Sequence, residues 1–202
     1  MINQNLDLIK SVFFYSLPII ISSIGSLVSI PLITKSISVS DYGLLEFIIL
    51  TIDLVYIILC LEFEQALAIY INEDNKNKSK IFSTCFNINL IFIILFIFLI
   101  NFINYFFSFV EFNLLIIISI FLFFTCGTKV LKNLLRYTSL TKFYSFISIF
   151  ISANIFILNI IAFLYGILNL YNILLILAIA HCFGAFVIFF KIDKNLYKKK
   201  IY

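Results

Sequence analysis

Six long apolar runs leave this chain almost no way to fold except as membrane-spanning helices. They cover approximately residues 12–33, 44–61, 84–107, 114–130, 143–168 and 173–190, the fourth being the shortest. A helix rising 1.5 Å per residue needs roughly 20 apolar residues to cross a hydrocarbon core about 30 Å thick. A soluble core helix explains one such run but not six in succession. Composition agrees: 63% of the 202 residues are hydrophobic, 12% are charged and mean hydropathy is +1.16. Soluble domains carry roughly a quarter charged residues. The expected fold is an all-α integral membrane protein, a single six-helix membrane domain over residues 1–202 without a soluble domain.

Orientation follows from the basic residues, because Lys and Arg in short loops resist translocation and stay cytoplasmic. With the N-terminus inside, the inner segments hold Lys10, then Lys76, Lys78 and Lys80, then Lys129, Lys132, Arg136 and Lys142, then Lys191, Lys194, Lys198, Lys199 and Lys200. Only Lys35 of the 14 basic residues falls outside. Both termini are therefore expected in the cytoplasm, and an odd number of spans would scatter the charges over both faces. The stretch Asn72 to Lys80, "NEDNKNKSK", is polar throughout and reads as a solvated loop.

The start "MINQNLDLIKSVFFYSLPII" lacks the short apolar segment and small-residue cleavage site of a secretory signal, so the first helix is expected to stay as a signal anchor. Cys60, Cys85, Cys126 and Cys182 all lie within or at the ends of apolar spans without ligand-like pairing, which predicts neither disulfide nor metal. His181 is the only histidine, no glycine-rich phosphate loop is present, and no nucleophile and base stand at recognisable spacing. An enzyme is not expected, nor a cofactor, nor a nucleic-acid partner. A lone histidine in a span is ordinarily a packed, hydrogen-bonded side chain.

Charge inside the spans carries more information. Ser38 to Asp41 reads S-x-x-D, in which the hydroxyl caps free N–H groups at a helix start and the acid suits the positive dipole end. A helix starting there, with Tyr42 at the interface, places Asp53 near the middle of the apolar body and Glu46 two turns earlier on nearly the same face. An acid at the centre of a span costs about 2.5 to 3.5 kcal/mol on insertion scales, so it faces protein or water rather than lipid. Two roles are open to Asp53: a protonated hydrogen-bonding group meeting Asn87, Asn89, Asn154 or Asn159, or a proton or cation site beside a transport path. Glu46, closer to the outer surface, has the same two, with hydration favouring the first.

On the first helix Ser22, Gly25, Ser26 and Ser29 recur at i, i+3, i+4 and i+7, a stripe of small residues that lets another helix approach closely or a polar substrate slide by. Pro18 and Pro31 flank it and permit kinks. In "TKVLKNLLRYTSLTKFY", Lys129, Lys132 and Arg136 sit at i, i+3 and i+7, one cationic face at the cytoplasmic mouth if the fourth helix continues past the membrane. Such a face attracts phosphate; the simpler account is that it meets anionic headgroups, as does "KKK" at residues 198 to 200.

Three segments carry a resemblance: "LIKSVFFYSLPIIISSIGSLVSIPLITKSISVSDYGLLEF", "EFEQALAIYINEDNKNKSKIFSTCF" and "LLRYTSLTKFYSFISIFISANIFILNIIAFLYGI". In this order they resemble the polysaccharide and O-antigen flippases of the multidrug, oligosaccharidyl-lipid and polysaccharide exporter superfamily. The first helix with its exit "PLITKSISVSDYG", the "ALxxY" end of the second and the basic "LLR...KFY" link into the fifth are the matching pieces, and they cover nearly the whole chain.

What the resemblance implies is passage of an undecaprenyl-diphosphate-linked oligosaccharide across a bacterial inner membrane by alternating access, in O-antigen, capsule or other surface polysaccharide synthesis. Family members have about twelve to fourteen helices in two six-helix halves around a cationic cavity, so this MATE-like chain would supply the first half and need a second, its own copy or a separate chain. Its first two spans carry no Arg or Lys at mid-depth. Lys129, Lys132 and Arg136 are then the substrate-contact candidates, at the entrance, and Asp53 and Glu46 the candidates for ion or proton coupling. A non-transporting membrane scaffold or truncated product, and a cation-coupled drug exporter of the same superfamily, remain the alternatives.

Overall fold

The computed structural model describes residues 2–60, 78–137 and 141–198, and side chains within 12–59, 83–133, 135 and 142–190. Among these residues six helices follow in order: α1 (Ile2–Ser36), α2 (Val39–Cys60), α3 (Lys78–Phe107), α4 (Phe112–Tyr137), α5 (Thr141–Leu164) and α6 (Leu170–Lys198). Each holds a stretch long and apolar enough to cross a membrane: Val12–Ser36, Val39–Leu59, Ser83–Phe107, Phe112–Asn133, Lys142–Leu164 and Leu170–Phe190. No strand occurs among the described residues. The expected six-helix membrane protein is thus the fold observed.

Helix ends depart from the hydropathy runs where capping chemistry intervenes. α2 starts at Val39 rather than near Leu44 because Ser38 caps it: the Asp41 amide donates to Ser38 Oγ at 3.1 Å, and Ser38 Oγ donates to the Asp41 carboxylate at 2.7 Å. α5 stops at Leu164, short of the apolar run. There Gly166 takes φ +66° while the Ile167 amide reaches back to the Ala162 carbonyl and the Gly166 amide to Phe163, a Schellman ending. Asn169 then caps α6, its Oδ1 accepting from the Asn172 amide at 2.8 Å. α4 runs on through Lys129 and Lys132 to Tyr137, past the predicted end at residue 130. Lys78 to Lys80, expected in a loop, open α3; residues 61–77, with the "ALxxY" segment and the rest of that loop, lie outside the described residues.

The three short connections meet at one end of the bundle. Tyr171 donates to the Glu111 carboxylate at 2.7 Å, and a basin of about 520 Å³ there gathers Asp41, Glu111 and Asn169. At the opposite end, the start of α5 docks on α1: Ser145 Oγ bonds the Phe14 carbonyl, and the Tyr15 and Tyr144 rings lie 5.6 Å apart.

Two parallel pairings organise the helices. α1 lies along α5 at a constant offset, Phe14 beside Ser145 and Gly25 beside Phe156, where a Cβ on Gly25 would sit 3.9 Å from the Phe156 Cβ. The small-residue stripe therefore does bring a helix close. α1 continues as helix through Pro18 and Pro31. α2 lies along α4, and α6 packs on both, bonding α4 through His181 Nδ1 at 2.7 Å from Thr128 Oγ1. The main core forms among α2, α4 and α6, around Leu45, Ile48, Ile52, Val55, Leu122, Cys126, Ile173 and Leu174. Spacings of three and four along α2 give it one buried stripe, which leaves Glu46 and Asp53 on the faces flanking that core. Near the docking end, α5 and α6 cross so tightly that a Cβ on Gly184 would lie 2.5 Å from Ile151 Cδ1.

Candidate functional site

Asp53 stands fourteen residues into α2 and seven from its end, so it sits on the docking-end side of the helix rather than at its middle. None of the four candidate asparagines reaches it. Its partner is Lys129 of α4, whose Nζ donates to Asp53 Oδ1 at 2.5 Å. The cause of this correction is register: α2 and α4 run parallel with an offset of 76 residues, which brings the two side chains to one level. The side chains keep 52% and 29% of their exposure, so the pair lines a recess rather than the core.

Around it the helical repeat collects polar groups. Tyr56, one turn after Asp53, lies with its ring centroid 5.0 Å from Lys129 Nζ, and Asn133, one turn after Lys129, donates its amide to the Tyr56 hydroxyl at 2.9 Å. Lys132 turns the other way, its Nζ 5.5 Å from the Tyr144 ring of α5. These residues and Ile57 enclose a recess of about 250 Å³. Two ammonium groups and one carboxylate line the recess, which therefore carries a net positive charge, and each ammonium is steadied by an aromatic face. Lysine is a compact point-charge donor to phosphate, and outside bulk water the attraction grows as the local dielectric falls. An anion entering here meets Lys132 directly and competes with Asp53 for Lys129.

The predicted site residues divide accordingly. Lys129, Lys132 and Asp53 come together in one recess. Arg136 continues the same helix, but its side chain lies outside the described residues. Glu46 stands apart, seven residues before Asp53 on α2, in a second cavity with Tyr42 and Asn159. Asn87 is exposed on α3, Asn89 bonds the Cys85 carbonyl of its own helix, and Asn154 bonds the Phe150 carbonyl. Tyr56, Asn133 and Tyr144 are the recess members that sequence reasoning does not single out. The i+3 and i+4 spacings from Asp53 and Lys129 are the signal for the first two; Tyr144 has none.

Fold and site define a six-helix, membrane-spanning bundle with a cationic recess between α2, α4 and α5. No family model matches the chain, and neither does any curated protein or solved structure.

Proposed function

We propose that this bundle is one half of a flippase for a lipid-linked oligosaccharide, working in the inner membrane of a bacterium with both termini cytoplasmic. Its partner is a second six-helix half, a further copy or a separate chain, and its substrate is a polyprenyl-diphosphate-linked sugar. The observation that carries this reading is the recess itself: Lys129 and Lys132 line it, and a diphosphate is a headgroup whose charge they complement. The basic-residue distribution supports a recess on the cytoplasmic side, where such a lipid is made. Asp53 holds Lys129 when no substrate is present and yields it when a diphosphate arrives. Loaded and empty states then differ by one broken ion pair, the kind of differential contact that alternating access requires. The drug-exporter alternative gives the lysine recess no anionic ligand, and a scaffold would leave it to ordinary anionic headgroups.

The experiment is binding of undecaprenyl diphosphate to the protein in nanodiscs, followed by native mass spectrometry. The expected result is binding that drops at least tenfold in Lys132→Ala and is lost in the Lys129→Ala, Lys132→Ala double variant. Equal binding by the double variant would sink the proposal.

A further inference from the structure

The two lysines of the recess are held differently. Lys129 is paired with Asp53, whereas Lys132 has neither ion pair nor hydrogen bond among the described residues, and the face of the Tyr144 ring 5.5 Å from its Nζ is what steadies the ammonium. That ring also reaches α1. Its centroid lies 5.6 Å from the Tyr15 centroid, with the two planes at 59°. The neighbours of Tyr144 complete the joint: Ser145 Oγ donates to the Phe14 carbonyl, and Lys142 Nζ lies 5.6 Å from the Phe14 ring. Pro18 has no amide proton to return to Phe14, so this carbonyl is one that α1 cannot satisfy by itself. α1 has little other support, because it runs along α5 and only grazes α2. Tyr144 therefore links an ammonium with no counter-ion of its own to the docking end of a helix that leans on one neighbour.

We propose that Tyr144 couples the recess to α1: an anion of the phosphate class held by Lys132 weakens the docking of α1 on α5, and a weaker docking raises the affinity of the recess for that anion. An anion beside Lys132 offsets the field of the ammonium at the ring, whether or not Nζ moves. The ring then keeps its contact with Tyr15 but loses what fixes it over the recess. The effect has to be mutual, because a coupling free energy between two sites is the same read from either one. A ring that only aimed Lys132 at its ligand would have the opposite sign, since removing it would weaken binding. The inference rests on the reading that the recess takes a phosphate-type anion, but not on transport of one.

The test uses the full chain in nanodiscs with undecaprenyl diphosphate as the probe, in a background whose native cysteines are replaced. Nitroxides at Val12 of α1 and Phe190 of α6, both exposed, report the docking end, and a pair at Ile91 of α3 and Phe190 is the reference. By pulsed electron paramagnetic resonance the lipid is expected to shift or broaden the distance from Val12 to Phe190 and to leave that from Ile91 to Phe190 unchanged. In Tyr144→Leu, binding by native mass spectrometry should tighten roughly threefold, within the worth of one cation–π contact, and the distance from Val12 to Phe190 should no longer respond. Ser145→Ala, which frees the joint at a residue outside the recess, should tighten binding too, and it decides the matter if Tyr144→Leu does not fold. A distance from Val12 to Phe190 indifferent to bound lipid, or weaker or unchanged binding in either variant, overturns the coupling and leaves the diphosphate site standing. No binding by the unaltered protein overturns both.

Discussion

Lys129 Nζ and Asp53 Oδ1 lie 2.5 Å apart although 76 residues separate them in the chain. The pair joins two parallel helices that are not neighbours in sequence, and it makes Asp53 an internal competitor for whatever anion approaches Lys129. A carboxylate in that place weakens anion binding and releases a lysine in the same event.

The effect of Asp53→Asn follows. Removing the competitor should tighten undecaprenyl diphosphate binding about fivefold, the equivalent of roughly 1 kcal/mol for a partly exposed ion pair. Transport should fall, because a lysine no longer recaptured holds the headgroup. Restoration of surface polysaccharide in a flippase-deficient cell supplied with both halves, measured beside binding, checks the two directions together.

Lys129→Met removes the cation paired with Asp53, a side chain that keeps about half of its exposure. A loss of roughly 1 to 3 kcal/mol is expected, between the worth of exposed pairs and the cost of breaking buried ones. The double variant Asp53→Asn, Lys129→Met should recover most of it. Additive losses in a thermal-melt cycle would mean that the two residues do not act on each other.

Gly184→Ala is expected to cost roughly 1 to 3 kcal/mol of stability, because the new methyl lands 2.5 Å from Ile151 Cδ1 and 2.6 Å from its Cγ1, on a buried β-branched side chain with little freedom to retreat. Gly184→Ala combined with Ile151→Ala removes both clashing atoms. It should be more stable than the two single losses summed, by melting in detergent.

Topology is testable without any substrate. In a background whose native cysteines are replaced, a thiol introduced at Ser38 or Asn169 should react with an impermeant reagent from outside the cell, and one at Asn75 should not. Reaction at Asn75 from outside contradicts the assigned orientation.

Much of the fold was legible because it is written in local chemistry. Length and apolarity announce the six helices, Ser38 and Asp41 announce the start of α2, and the seven-residue interval between Glu46 and Asp53 places both acids along one side of it. His181 sits packed and hydrogen-bonded to Thr128, as expected for a lone histidine. The site was legible only in part. Asp53 promised a partner, but hydrogen-bonding asparagines were the obvious candidates, and Lys129 looked like a headgroup contact because hydropathy ends the fourth span at residue 130. The true pairing depends on the register between α2 and α4, which no local pattern encodes. The i, i+3, i+7 spacing of Lys129, Lys132 and Arg136 is likewise silent on side-chain direction: Lys129 leans toward α2, Lys132 toward Tyr144 of α5. Asn159, noticed for its polarity as a partner for Asp53, instead lies buried beside a separate cavity with Glu46 and the serines of α1.

The 76 residues between Asp53 and Lys129 are also an interval of time. A ribosome adding about 5 to 20 residues per second needs roughly 4 to 15 s to make them. For the later part of that delay the acid of α2 has left the exit tunnel and its lysine does not yet exist. The nascent α2 must therefore wait beside the insertion machinery, or enter lipid carrying a proton, until α4 arrives to claim it. The ion pair thus dates the docking of α4 on α2 during synthesis, and a force-sensing arrest sequence placed behind α4 should register a pull that disappears in Asp53→Leu.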